Sequence, residues 1–133
     1  MRKNFTRDLL VGAGIAALVM PPCMAMADGH SEIVVAAQHA EYAAKSALIA
    51  GVHMHLHHTL NCLVGPNGQG FDSKELNPCA NSGNGAIPDT ADTMHKQALE
   101  SAADKAREGI AAGDYATAQK DAEDTEEMLK KDE

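Results

Sequence analysis

Apolar residues recur at three- and four-residue intervals along residues 31 to 63, where Ile33, Ala37, Ala40, Ala44, Ala47 and Leu48 mark one face of an amphipathic helix. That segment holds no proline and a single glycine, Gly51. From Asp92 the helical period returns, rich in Ala, Glu and Lys, and continues to the C-terminus. Residues 64 to 90 interrupt it with Gly65, Gly68, Gly70, Gly83 and Gly85 and with Pro66, Pro78 and Pro88, the composition of irregular chain. No stretch shows the two-residue alternation of a strand. The pattern predicts an all-α fold, an up-down bundle of two helical hairpins (31–63 and 91–131) joined by the 64–90 loop, in a single domain spanning 28–133.

Where the hairpins turn is suggested by an internal repeat. At an offset of 62, Ala44 to Gly51 overlies Ala106 to Gly113, and Ala36 and Ala40 overlie Ala98 and Ala102. Gly113 followed by Asp114 is a helix stop and restart, with glycine suited to a C-terminal turn and aspartate to an N-cap. If Gly51 does the same, four helices are expected near 31–50, 53–63, 91–112 and 114–130. Val52 cannot cap as Asp114 can, so three helices, the first one continuous, stand as the alternative. A helix from Ser31 to Leu63 would be about 50 Å long at 1.5 Å per residue, with little for its far end to pack on.

The first 27 residues follow a different logic. Arg2, Lys3 and Arg7 precede an apolar run from Leu9 to Met20, and Ala25-Met26-Ala27 offers small residues for cleavage, the layout of a secretory signal peptide. The run is short for a membrane anchor, so no span is expected after cleavage, and the mature chain is expected to be periplasmic or secreted. Removing the leader leaves eight Lys or Arg against eighteen Asp or Glu, changing the formal charge from -8 to -10. So acidic a chain is a poor nucleic-acid binder, and two Phe, two Tyr and no Trp leave no stacking platform for bases. Cys62 and Cys79 remain as a pair, most simply a disulfide in an oxidising compartment, with two free thiols as the alternative. The bridge would staple the first half of the loop, Phe71 and Leu76 included, against the end of the preceding helix.

The segment His53-Met54-His55-Leu56-His57-His58 concentrates four of the chain's seven histidines. On a helix, Val52, Leu56, Leu60 and Leu63 form the buried seam and the histidines flank it, His53 with His57 at i,i+4 and His55 with His58 at i,i+3. Either spacing brings two imidazoles within reach of one ion, and imidazole suits Zn, Cu and Ni. Further ligands would come from His39, His95, His30 or carboxylates such as Glu41 and Asp92. Three methionines after cleavage favour a site for divalent ions over a methionine-based Cu(I) site. The alternative is a surface patch that gains charge near the ordinary histidine pKa of about 6.5.

A secreted, alanine-rich bundle with histidines displayed on its helices resembles the bacterial small metal-binding proteins. The likeness runs through Ala36-Ala37-Gln38-His39-Ala40-Glu41 and Gly51-Val52-His53. It implies a periplasmic four-helix bundle that takes up divalent ions, notably copper, with His39, His53, His55, His57, His58 and His95 as the candidate ligands. The chain departs from that pattern in its stapled loop and in a second hairpin with His95 alone, which implies fewer ions. The acidic end, Asp121 to Glu133, is expected to be a solvated helix face with pairs such as Lys120–Asp124 and Glu126–Lys130. No phosphate-binding loop, Cys-x-x-Cys, His-Glu-x-x-His, nucleophile elbow or paired Glu-x-x-His motif occurs, so no enzymatic activity is expected. Binding or buffering of Cu, Ni or Zn ions is the expected function. The rival is a structural or interaction module whose loop contacts a protein partner and whose histidines only tune charge. Haem binding through two axial histidines ranks third.

Overall fold

The helical period of residues 31 to 63 resolves into α1 (His30–Ala44) and α2 (Ile49–Val64), and that of the C-terminal third into α4 (Thr93–Ala111) and α5 (Tyr115–Asp132). These come from a computed structural model that describes residues 29–133; the expected signal peptide, residues 1–27, lies outside the described residues. Among the described residues there is no strand.

The hairpin reading holds, while its first turn falls elsewhere than the repeat suggested. α1 stops at Ala44 and α2 begins after Leu48, so the chain turns at residues 45–48 and not at Gly51-Val52. Ser46 assists the stop, its Oγ donating to the Tyr42 carbonyl at 2.8 Å. Gly51 lies inside α2, where a side chain would meet Ser46 Oγ at 3.0 Å, so its role is room for the turn. A continuous helix from 31 to 63 is excluded. The later turn falls where expected and its restart is as expected, Asp114 Oδ1 accepting from the Thr117 amide at 2.9 Å to cap α5, as Asp92 Oδ1 accepts from the His95 amide at 2.7 Å to cap α4. Its stop differs, since α4 ends through the extended Ala112 (φ -62°, ψ 131°) and Gly113 does not take up a left-handed turn.

Each long helix packs mainly on two others, while α2 and α5 also touch across the bundle. α1 packs on α2 and α5, and α4 packs on the same two, leaving α1 and α4 on a diagonal. The α1–α2 turn meets the α4–α5 turn, where Tyr115 Oη donates to the Ser46 carbonyl at 2.7 Å and Gln119 Nε2 to the Ala44 carbonyl at 2.9 Å. Neighbouring helices are therefore antiparallel, an up-down bundle. The core is aliphatic, with Ile33, Leu56, Leu63, Leu99 and Leu129 as its largest apolar side chains and the expected seam of Val52, Leu56, Leu60 and Leu63 buried. Much of the rest is alanine. After Ile33 the inward face of α1 is alanine, Ala36, Ala37, Ala40 and Ala43, which offers its neighbours nothing larger than a methyl group. Gly109 extends this economy to α4, where a methyl group would come within 2.5 Å of Leu56 Cδ1 and 3.0 Å of Asp121 Cβ.

The 64–90 connection is more ordered than its composition implied. Cys62 and Cys79 are bonded, with Cα atoms 5.1 Å apart, and both are buried. A one-turn helix, α3 (Ala86–Asp89), interrupts the expected irregular chain, with Thr90 Oγ1 donating to the Ala86 carbonyl at 2.7 Å. Phe71 packs against the core as expected, whereas Leu76 is 61% exposed, because the chain beside it is held through its backbone. The holder is Asn61. Fully buried on α2, it donates from Nδ2 to the carbonyls of Asp72 (2.9 Å) and Leu76 (3.2 Å) and accepts the Asp72 amide at Oδ1 (2.9 Å). The buried Glu32 of α1 accepts the Gly85 amide at Oε1 (2.9 Å), and Arg107 Nη2 donates to the Gln69 carbonyl (2.9 Å).

Gly65 ends α2 at φ 68° and ψ 175°, and a Cβ there would fall 1.6 Å from the Asn84 carbonyl oxygen. Backbone on both sides leaves no flexible group to yield. Gly65→Ala is expected to cost at least about 2 kcal/mol of stability, read from the urea midpoint, whereas Gly113→Ala should stay within about 0.5 kcal/mol because nothing lies within 4 Å of its Cβ position. Equal midpoints for the two variants would contradict this account of the loop.

Candidate metal centre

His39 lies on the flank of α1, two positions after the buried Ala37 and just before the buried Ala40, so its ring leaves the helix at the edge of the alanine seam. Across that edge stand His55 and His58, one helical turn apart on α2. The alanine contact is short enough for one helix to reach into the other: Thr59 Oγ1, on α2, lies 3.2 Å from the Ala36 carbonyl of α1. The three imidazoles consequently meet. Ring centroids are 5.6 Å apart for His39 and His55, 5.2 Å for His39 and His58, and 5.5 Å for His55 and His58. Tyr42, one turn beyond His39, closes one side with its ring 5.5 Å from both His39 and His55.

Each of the three histidines offers a nitrogen, and the three nitrogens lie within 4.8 Å of one another. A divalent transition-metal ion holds imidazole nitrogens at about 2.0–2.1 Å, which puts tetrahedral donors roughly 3.3 Å apart. His39 Nδ1 and His55 Nδ1 already stand 3.4 Å apart, sharing a hydrogen bond in which one ring's N–H donates to the other's lone pair. His58 Nδ1 is buried without a hydrogen-bond partner, an arrangement that ordinarily costs free energy and that an ion would relieve. On this donor chemistry the group can hold a metal ion.

Burial sets the protonation of the site. It pushes His39 down to about 4, with the neighbouring His58 and His55 adding repulsion between like charges. His55 is lowered by burial, and so is His58, with His55 lowering it further and the nearby Glu75 carboxylate opposing the change. His39 therefore stands neutral at pH values where a solvated histidine is largely protonated, and burial biases His55 and His58 in the same direction.

The remaining candidate histidines are placed elsewhere. His53 Nε2 lies 3.1 Å from the Ala112 carbonyl, tying α2 to the end of α4. His57 Nδ1 is 3.9 Å from Asp72 Oδ2 and faces the loop. His95 lies at the opposite end of the bundle, its Nε2 3.2 Å from the Asp132 carbonyl where α4 begins and α5 ends. The i,i+3 pair joins the cluster and the i,i+4 pair does not, because the α1 flank that carries His39 packs against the former. Glu41, offered by the sequence as a further ligand, instead pairs with Lys45 and, at 3.3 Å, with Lys130. Asp92 is occupied as the cap of α4.

Two contributors escaped the sequence reading, Glu75 and Asn61. Glu75 Oε2 lies 3.6 Å from His58 Nε2. The disulfide was the available signal for it: Cys62 is one turn beyond His58, so a bridge from Cys62 to Cys79 brings the two acidic residues between the cysteines, Asp72 and Glu75, back toward the histidines of α2. For Asn61 the signal was an amide side chain inside the apolar run Leu60 to Val64, where burial demands partners.

No protein-family model matches the chain, and no curated protein or solved structure is significantly similar to it. The likeness to the small metal-binding proteins thus rests on the segments quoted above.

The lowered histidine pKa values have a consequence for the metal-free protein. Above pH 6.5 His39 is neutral folded or unfolded. As the pH falls from 6.5 toward 4, the unfolded chain takes up a proton that the folded site refuses, so stability present at neutral pH is lost across that window. His55 and His58 act in the same direction. Urea denaturation at pH 7.5 and 4.5 should show a larger loss for the unaltered protein than for His39→Gln, and equal losses would contradict the burial of these rings.

Proposed function

We propose that this chain binds a divalent transition-metal ion, Cu, Ni or Zn, through His39, His55 and His58, and acts outside the cytoplasm as a buffer or carrier of that ion. The supporting observation is the meeting of three imidazoles from two helices with their donor nitrogens within 4.8 Å. Nitrogen donors without thiolate place Cu(II) at the top of the expected affinities. Both cysteines of the described chain are engaged in the disulfide, which removes them as competing soft ligands.

Three protein ligands leave a coordination position for water or for a ligand from another molecule. An ion so held can be passed on by ligand exchange, which suits buffering or carriage better than a closed structural site. Protons compete weakly, because the buried rings resist protonation. That property also counts against histidines serving as a charge-tuning patch near pH 6.5. The periplasmic or secreted location is supported by the basic and apolar leader and by a disulfide of the kind that persists in oxidising compartments. No helix among the described residues is long and apolar enough to cross a membrane. The role is binding and not catalysis, in keeping with the absence of catalytic motifs from the sequence.

Titration calorimetry of the chain beginning at Asp28 with Cu(II), Ni(II) and Zn(II) tests the assignment. A single ion per chain is expected. His39→Ala/His55→Ala/His58→Ala should lose high-affinity binding while His53→Ala/His57→Ala/His95→Ala keeps it, with circular dichroism confirming that both remain helical. The reverse ranking, or no loss in the first variant, would refute it.

A further inference from the structure

The histidine triad has a neighbour that no ligand count includes. Among the described residues, Glu75 supplies the carboxylate oxygen within 4.0 Å of a nitrogen of any of the three rings, and it meets His58 alone, at Nε2. The other nitrogen of that ring, Nδ1, is buried without a hydrogen-bond partner. One imidazole thus has a carboxylate beside one nitrogen and an unsatisfied lone pair or proton at the other. In metal sites this division is functional: the nitrogen facing the carboxylate carries the proton, which leaves the second nitrogen deprotonated and aimed at the ion.

We propose that Glu75 is a positioning residue of the metal centre: from 3.6 Å, just beyond hydrogen-bond distance, its carboxylate closes on His58 Nε2 when an ion binds, accepts that proton and leaves Nδ1 to the ion, while remaining outside the coordination shell. This rests on the metal-binding function proposed above. Three features of the fold support it. Asn61, one turn from His58 on the same helix, grips the backbone of residues 72 to 76 and so fixes the height of Glu75 along α2. The Cys62–Cys79 bridge closes the same segment from its other side. The Glu75 carboxylate also stands apart from the cluster of donor nitrogens, which comprises the three histidines without it. The stapled loop therefore carries one working part of the site, and its disulfide and amide grip act on ion affinity through a single side chain.

The test compares Glu75→Ala and Glu75→Gln with the unaltered chain by Zn(II) competition titration and by the visible spectrum of the Co(II)-loaded protein. Glu75 is about a third exposed and the Asn61 contacts are to backbone, so both variants keep the loop grip. Glu75→Ala should weaken Zn(II) binding by about 10- to 100-fold. Glu75→Gln, whose carbonyl can still accept the Nε2 proton, should recover part of that loss, and the Co(II) bands should keep their positions in both. Unchanged affinity in Glu75→Ala overturns the proposal, as does a Gln variant no better than Ala. Shifted Co(II) bands also overturn it, because Glu75 would then be a ligand. Absence of Zn(II) and Co(II) binding in the unaltered chain would instead refute the metal-binding function itself, a distinguishable result.

Discussion

Everything at the candidate centre depends on how closely α1 can approach α2. From the side of α1 the approach is set by alanine: Ala36, Ala37, Ala40 and Ala43 offer nothing larger than a methyl group to the side chains of α2. A larger side chain at these positions would move the axes apart and take the His39 ring away from His55 and His58. The same closeness lets the buried Thr59 hydroxyl reach the Ala36 carbonyl at 3.2 Å, beside the His55 carbonyl of its own helix at 3.0 Å. The stabilising contribution of such a seam comes from many small contacts with little side-chain entropy lost, since alanine has none to lose.

Burial and chemistry are balanced at the edge of this seam. Had the three rings faced solvent, they would titrate near 6.5 and repel one another as charges accumulated. Had they been fully enclosed, no ion could enter. They sit between these limits, with His58 mostly covered by the loop and His39 and His55 half-buried. Partial enclosure keeps the imidazoles neutral, and Tyr42 and the loop limit the directions from which solvent arrives.

Periodicity and punctuation made the bundle legible in the sequence. The seam of Val52, Leu56, Leu60 and Leu63, the helix restart at Asp114 and the pairing of the two cysteines all follow from local chemistry, and all are present. The first turn was not legible. Leu48 begins α2 without a side-chain cap, and Gly51, the residue that looked like punctuation, is an interior position cleared for Ser46. Local rules find turns that are capped locally and miss those fixed by packing. The same division applies to the histidines. Helical geometry allowed two pairs, and only the register of α1 against α2, a tertiary property, chose His55 and His58 and brought His39 to them. Glu75 and Asn61 were hidden for the same reason, since each acts through residues more than ten positions away.

The second hairpin lends no side chain to the histidine cluster, whose ligand residues and Glu75 all fall in the unbroken stretch from His39 to Glu75. Contacts so near in sequence close small loops and form early when a chain collapses. Every side chain of the centre belongs to the first hairpin and its staple, and α4 and α5 act on it only by packing against the helices that carry it.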